Sequence, residues 1–154
     1  VIEKKVSIIK QALEHHKDSS LEGEPMKALQ AVGGAEIAAI VGGMLESSKR
    51  DIPILVDGFI VTTAAMIACQ MDASVSRVLI FATQSTEKGQ AVALDVIKGI
   101  AQSNDIPIPS TPALNMNLRM GEATGALLAV PLVQSSCAVV VELATLNEVL
   151  SIEM

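Results

Sequence analysis

Apolar residues recur at Ile2, Val6, Ile9 and Leu13, with Ile8 and Ala12 beside them. That spacing predicts a helix over residues 1–16, with one stripe facing a core. Residues 17–24 are polar and include Gly23, which reads as a loop, and Pro25 suits the first turn of a following helix. A short helix over 26–31 ends at Gly33-Gly34. Helical spacing resumes over 35–48 through Ile37, Ala38, Val41, Met44 and Leu45. Ala35, Ala38, Ala39, Gly42 and Gly43 in that stretch permit close backbone approach.

The pattern changes at residues 52–56, a continuous apolar run closed by Asp57-Gly58. A short run without alternation fits a strand covered on both faces. Residues 60–71 are Ala-rich and helical, and 77–81 form a second strand candidate. Its end runs through 82–87, where Ser85 or Thr86 can cap a helix from Glu87 to about Gly99. Strand, helix, strand, helix at this pitch is a βαβ unit, so a parallel sheet with right-handed crossovers is expected. Asn104, Pro107, Pro109 and Pro112 make 102–112 irregular. Residues 114–118 alternate, which predicts a third strand, and 119–122 lead into an apolar helix reaching about Asn147.

Composition narrows the function classes. Of 154 residues, 50% are hydrophobic and 18% charged, which excludes a disordered chain. The formal charge of −6, with no cluster of Lys or Arg, argues against a nucleic-acid or anionic-membrane binder. Only Phe59 and Phe81 are aromatic, so platforms for stacking bases are missing as well. Cys69 and Cys137 lie in aliphatic helical settings, which reads as a reducing, cytosol-like compartment. The chain opens on Val1 already in a helical pattern, as a piece of a longer polypeptide would. Glu and Lys throughout residues 1–13 do not fit a signal peptide. Residues 123–141 carry no charge and are long enough to span a bilayer. They nevertheless contain Thr124, Pro131, Gln134, Ser135 and Ser136 and lack basic flanks, so a buried helix is the expectation.

Ligands of open α/β sheets bind outside the carboxyl ends of the strands. Asp57-Gly58, Thr83-Gln84-Ser85 and the 119–122 segment supply polar groups at those three ends. Glu122 opens an almost wholly apolar helix. It reads either as a first-turn acid answering the helix dipole or as a carboxylate tuned between that dipole and apolar burial. The second setting suits a general base near neutral pH. Asp57 reads as a turn residue or as a partner for a substrate hydroxyl, and Ser85 as a cap or a ligand-binding hydroxyl. Lys4 and Lys5 lie on the polar side of the first helix. His15 and His16 sit at its end without partners at metal-ligand spacing. The common dinucleotide, P-loop and hydrolase signatures are missing.

Four motifs occur in order: Gly33-Gly-Ala-Glu-Ile-Ala-Ala39, Ile52-Pro-Ile-Leu-Val-Asp-Gly-Phe59, Ser85-Thr-Glu-Lys-Gly89 and Leu118-Arg-Met-Gly-Glu-Ala-Thr-Gly-Ala126. Together they resemble the carboxyl-terminal half of nicotinate-nucleotide–dimethylbenzimidazole phosphoribosyltransferases. Pattern and resemblance point to one α/β domain over 1–154, Rossmann-like and three-layered (α/β/α), with a mostly parallel sheet and a long C-terminal helix. The resemblance implies transfer of phosphoribose from nicotinate mononucleotide to dimethylbenzimidazole, giving α-ribazole phosphate and nicotinate, in cobalamin lower-ligand synthesis. It matches Glu122 to the base that takes the proton from the attacking nitrogen. Lys5 matches a lysine near the substrate phosphate, and Asp57, Ser85, Met120 and Gly121 would line the same cleft. No cofactor and no metal are implied, and the setting is a cytoplasmic homodimer without nucleic-acid or membrane partners. Ala82-Thr83 and Gln90 depart from the pattern, which usually carries Ser-His and a His there. A phosphate-binding Asn-Thr-Thr segment belongs to the family's other half. A non-catalytic relative that binds nucleotides or partners is the alternative, and a membrane-inserted protein a third.

Overall fold

The computed structural model describes residues 2–17, 20–107, 111–117 and 121–152. Its elements, in order, are α1 (Ile2–His15), α2 (Pro25–Val32), α3 (Ala35–Lys49), β1 (Ile54–Val56), α4 (Phe59–Met71), β2 (Leu79–Phe81), α5 (Lys88–Ser103), α6 (Thr124–Glu142) and α7 (Leu146–Ile152). A 3-10 helix, Ala73–Val78, joins α4 to β2. The Asp72 carboxylate accepts the Ser74 amide proton at 2.9 Å to start it, and bonding to Ser74 holds that carboxyl below its ordinary range.

The result is a mixed α/β fold, mostly helical, around a small parallel sheet. β1 and β2 pair as Ile54↔Leu79, Leu55↔Ile80 and Val56↔Phe81. Both were legible as apolar runs, because helices cover them. Val56, Leu79 and Phe81 are buried among Val41 and Met44 of α3, Ala64, Ala65, Ala68 and Cys69 of α4, and Ile97 of α5. Helix α4 forms where its Ala-rich pattern predicted a helix, and its buried Ala64, Ala65 and Ala68 take little room between its neighbours.

Four expectations are corrected. The third strand expected over 114–118 is reduced to one parallel bridge, Thr83↔Leu114. Asn117 takes a left-handed φ of 51°, which ends extended backbone; Leu118 lies outside the described residues. Helix α1 forms where expected, but it buries none of its residues, so its stripe faces no core among the described elements. Helix α6, expected to be buried, buries only Gly125 and Ala129. Its apolar residues are interrupted by Gln134, Ser135 and Ser136, and most of its length is exposed. It also stops at Glu142 rather than near Asn147; Thr145, whose amide and hydroxyl bond the Glu148 carboxylate, starts the separate α7.

Candidate functional site

The carboxyl ends of β1 and β2 meet the first turn of α6. Asp57, just past β1, is buried and accepts the backbone N–H of Ala126 on its Oδ1 at 3.0 Å. The bond spans 69 positions and satisfies one of the orphan donors at the start of a helix. Asp57 is therefore more than a turn residue, since one of its oxygens anchors α6. Thr83, past β2, is buried beside it. A methyl group on Gly125 would lie 2.5 Å from Thr83 Oγ1 and 2.6 Å from Asp57 Oδ1, so only glycine permits this approach.

Glu122 precedes α6 rather than opening it. Glu122 and Ala123 both take left-handed φ values, 63° and 62°, and Ala123 is the helix N-cap. Each such conformation costs roughly 1–2 kcal/mol for a residue with a Cβ. The turn is closed by the Thr124 hydroxyl, which donates to the Gly121 carbonyl at 2.9 Å. Glu122 and Gly121 are exposed. The half-buried setting expected for Glu122 is thus not provided by the described residues. Met120 lies outside the described residues.

Ser85 follows β2 as expected, and its Oγ accepts the Glu87 amide proton at 3.1 Å ahead of α5. The hydroxyl proton is left for another acceptor. Beside it opens a cavity of about 500 Å³ whose wall includes Gln84, Ser85, Thr86, Lys88, Asn115 and Asn117. Glu87 and Asp95 line it as well, so its hydroxyl, amide, ammonium and carboxylate groups suit a polar ligand able both to donate and to accept hydrogen bonds. Sequence reasoning missed Lys88, Asn115 and Asn117. The Asn-Met-Asn alternation was the available signal, and it was read only as strand.

Lys5 is not brought to this place by the described packing. It is exposed on α1, which contributes nothing to the core. Asp57, Thr83, Ser85, Gly121 and Glu122 gather at one end of the sheet, and Lys5 stands apart.

A phosphoribosyltransferase family model (DBI_PRT) matches residues 1–149. The nicotinate-nucleotide–dimethylbenzimidazole phosphoribosyltransferase of Xanthomonas oryzae pv. oryzae is 39% identical over 144 residues, covering 94% of this chain and 37% of that one. That of Photobacterium profundum is 38% identical over 147 residues, covering 96% and 39%. A crystal structure of the enzyme so named from Thermus thermophilus superposes with a TM-score of 0.64 at 31% identity, over 81% of this chain and 34% of that one. The chain therefore spans well under half the length of these relatives. Across that span, the chain belongs to the nicotinate-nucleotide–dimethylbenzimidazole phosphoribosyltransferase family.

Proposed function

We propose that residues 1–154 form an α/β domain corresponding to the carboxyl-terminal portion of a phosphoribosyltransferase of cobalamin synthesis. The complete polypeptide moves phosphoribose from nicotinate mononucleotide to dimethylbenzimidazole, releasing nicotinate and forming α-ribazole phosphate. A ring nitrogen of the benzimidazole attacks the ribose anomeric carbon. The bond to nicotinate breaks, and its electron pair leaves with the pyridine nitrogen. Glu122 takes the proton that the azole gives up. Asp57 positions the Gly121–Glu122 turn through α6, Ser85 and the polar cavity beside it receive the nucleotide, and Met120 and Gly121 line the base slot. Lys5 reaches the phosphate only once other parts of the polypeptide hold α1. The working form is a cytoplasmic homodimer with its small sheet built into a Rossmann-like three-layer fold.

The observation that carries this reading is the meeting of two parallel strand ends with the strained turn bearing Glu122, at Asp57, Thr83 and Gly125. Ligands of α/β folds bind at such ends, and strained turns cluster at functional sites. The complete polypeptide is expected to form α-ribazole phosphate from the two substrates, detected by mass. Glu122→Gln is expected to lower kcat by roughly 10²–10⁴-fold, the span of general-base catalysis. An unchanged kcat would remove Glu122 from that role. Binding of the nucleotide without any product would favour the non-catalytic module instead.

A further inference from the structure

We propose that Gln90 is a positioning residue: its buried amide clamps the turn after β2 in the shape that presents Ser85 to the nucleotide. The role rests on the transfer reading above. Gln90 is 1% exposed, and its amide is spent on backbone and side chains around the strand ends. Its Oε1 accepts the Ser85 amide proton at 2.6 Å. Its Nε2 donates to the Thr83 carbonyl at 3.0 Å and to Thr62 Oγ1 on α4 at 3.3 Å. The Thr62 hydroxyl donates in turn to the Gly58 carbonyl at 2.9 Å, just past β1. One side chain on α5 thereby ties both strand-end turns together.

The chemistry of the amide matters more than its bulk. A leucine of similar volume would fill the space and leave the half-buried Ser85 N–H and the buried Thr83 carbonyl without these partners, a state that costs most at the buried carbonyl. A primary amide offers acceptor and donor together at every pH. A carboxyl offers both only when protonated, and an imidazole only when neutral. The substitutions Gln90→Glu and Gln90→His should therefore move in opposite directions with pH. Helix α4 carries no charged side chain. The charged groups nearby are Glu87, Lys88 and Asp95 on the cavity wall and Asp57 at the end of β1. They are common to parent and variants, so a difference between variants isolates position 90.

The experiment uses the complete polypeptide, with Gln90→Glu, Gln90→His and Gln90→Leu. Kinetic constants for nicotinate mononucleotide and the Ser85 amide resonance are followed from about pH 5 to pH 8, where imidazole changes charge. Relative to the parent, Gln90→Glu should regain kcat/KM toward acid as its carboxyl is protonated. Gln90→His should lose it toward acid, and Gln90→Leu should fall by up to about 10²-fold at every pH, the scale of a 1 Å misplacement. The Ser85 amide resonance should follow the same opposed trends. Ratios to the parent that stay flat with pH, in both turnover and the Ser85 resonance, would overturn the clamp. A parent without turnover whose variants still show opposed Ser85 shifts would overturn the transfer reading and leave the clamp standing. Should the variants fail to fold, hydrogen exchange in the parent decides: slow exchange at the Ser85 amide supports the clamp, and exchange at the free-peptide rate overturns it.

Discussion

Gly125 has no room for even one more methyl group. Gly125→Ala forces the start of α6 away from Thr83 and Asp57, or forces the strand ends apart. Overpacking of this kind costs about 1–3 kcal/mol, which urea unfolding would register as a lower midpoint. Transfer should fall further than stability does, since the Glu122 turn moves with the helix. The two cysteines supply a second residue-scale expectation. Burial, and then the Asp72 carboxylate, push the Cys69 thiol up to about 12, whereas Cys137 is exposed. The thiolate is the reactive form, so a maleimide at mildly alkaline pH should modify one thiol of the native chain and two after denaturation. Rapid native modification of both would contradict the packing of α4. At this scale the sequence showed where Asp57 sits but not what it holds. Its partner, the Ala126 amide, lies 69 positions away and carries no side-chain signal. Gln90 was visible only as a departure from a histidine, because a neutral buried amide leaves no periodicity or charge pattern.

Legibility followed burial among the elements. Strands β1 and β2 and helices α3 to α5 stood out because each presents apolar residues to one shared core, and periodicity records that. The same logic failed for α1, whose stripe at Ile2, Val6, Ile9 and Leu13 is exposed. An amphipathic pattern says that a face wants a partner; it does not say that the partner lies in the same 154 residues. At 14 residues, α1 is near the length at which an isolated helix is marginal in water. Val6→Asp and Leu13→Asp should therefore each change unfolding of the isolated chain by no more than about 0.5 kcal/mol, as surface substitutions do. Ile97→Ala, in the fully buried centre of α5, should cost about 2–5 kcal/mol. Comparable losses at Val6 and Ile97 would mean that α1 packs on the core after all. The third strand was misjudged because alternation in 114–118 reflects asparagines facing a polar cavity, not one covered sheet face.

The molecule as a whole leaves unusual amounts of apolar surface uncovered. Leu127, Leu128 and Leu132 of α6 are exposed, as are Val139, Val140 and Val141 near its end and Leu146, Val149 and Leu150 of α7. The stretch Thr124–Ser151 is long and apolar enough to cross a membrane by length and composition alone. Monomeric soluble proteins rarely expose contiguous apolar patches beyond a few hundred Å², and larger ones mark interaction surfaces. A net charge of −6 opposes association only weakly, because salt screens it over about 8–10 Å. The relatives carry more than half of their length outside the matched region, so their helices have further chain to pack against. The isolated 154-residue chain should therefore self-associate in aqueous buffer, its light-scattering mass rising with concentration. Val140→Lys combined with Leu146→Glu should lower that mass, while the core, to which neither residue contributes, keeps its unfolding midpoint. Association that persists unchanged in the double variant would move the sticky surface to α1. A chain monodisperse and monomeric at every concentration would mean that α6 and α7 fold back to cover themselves.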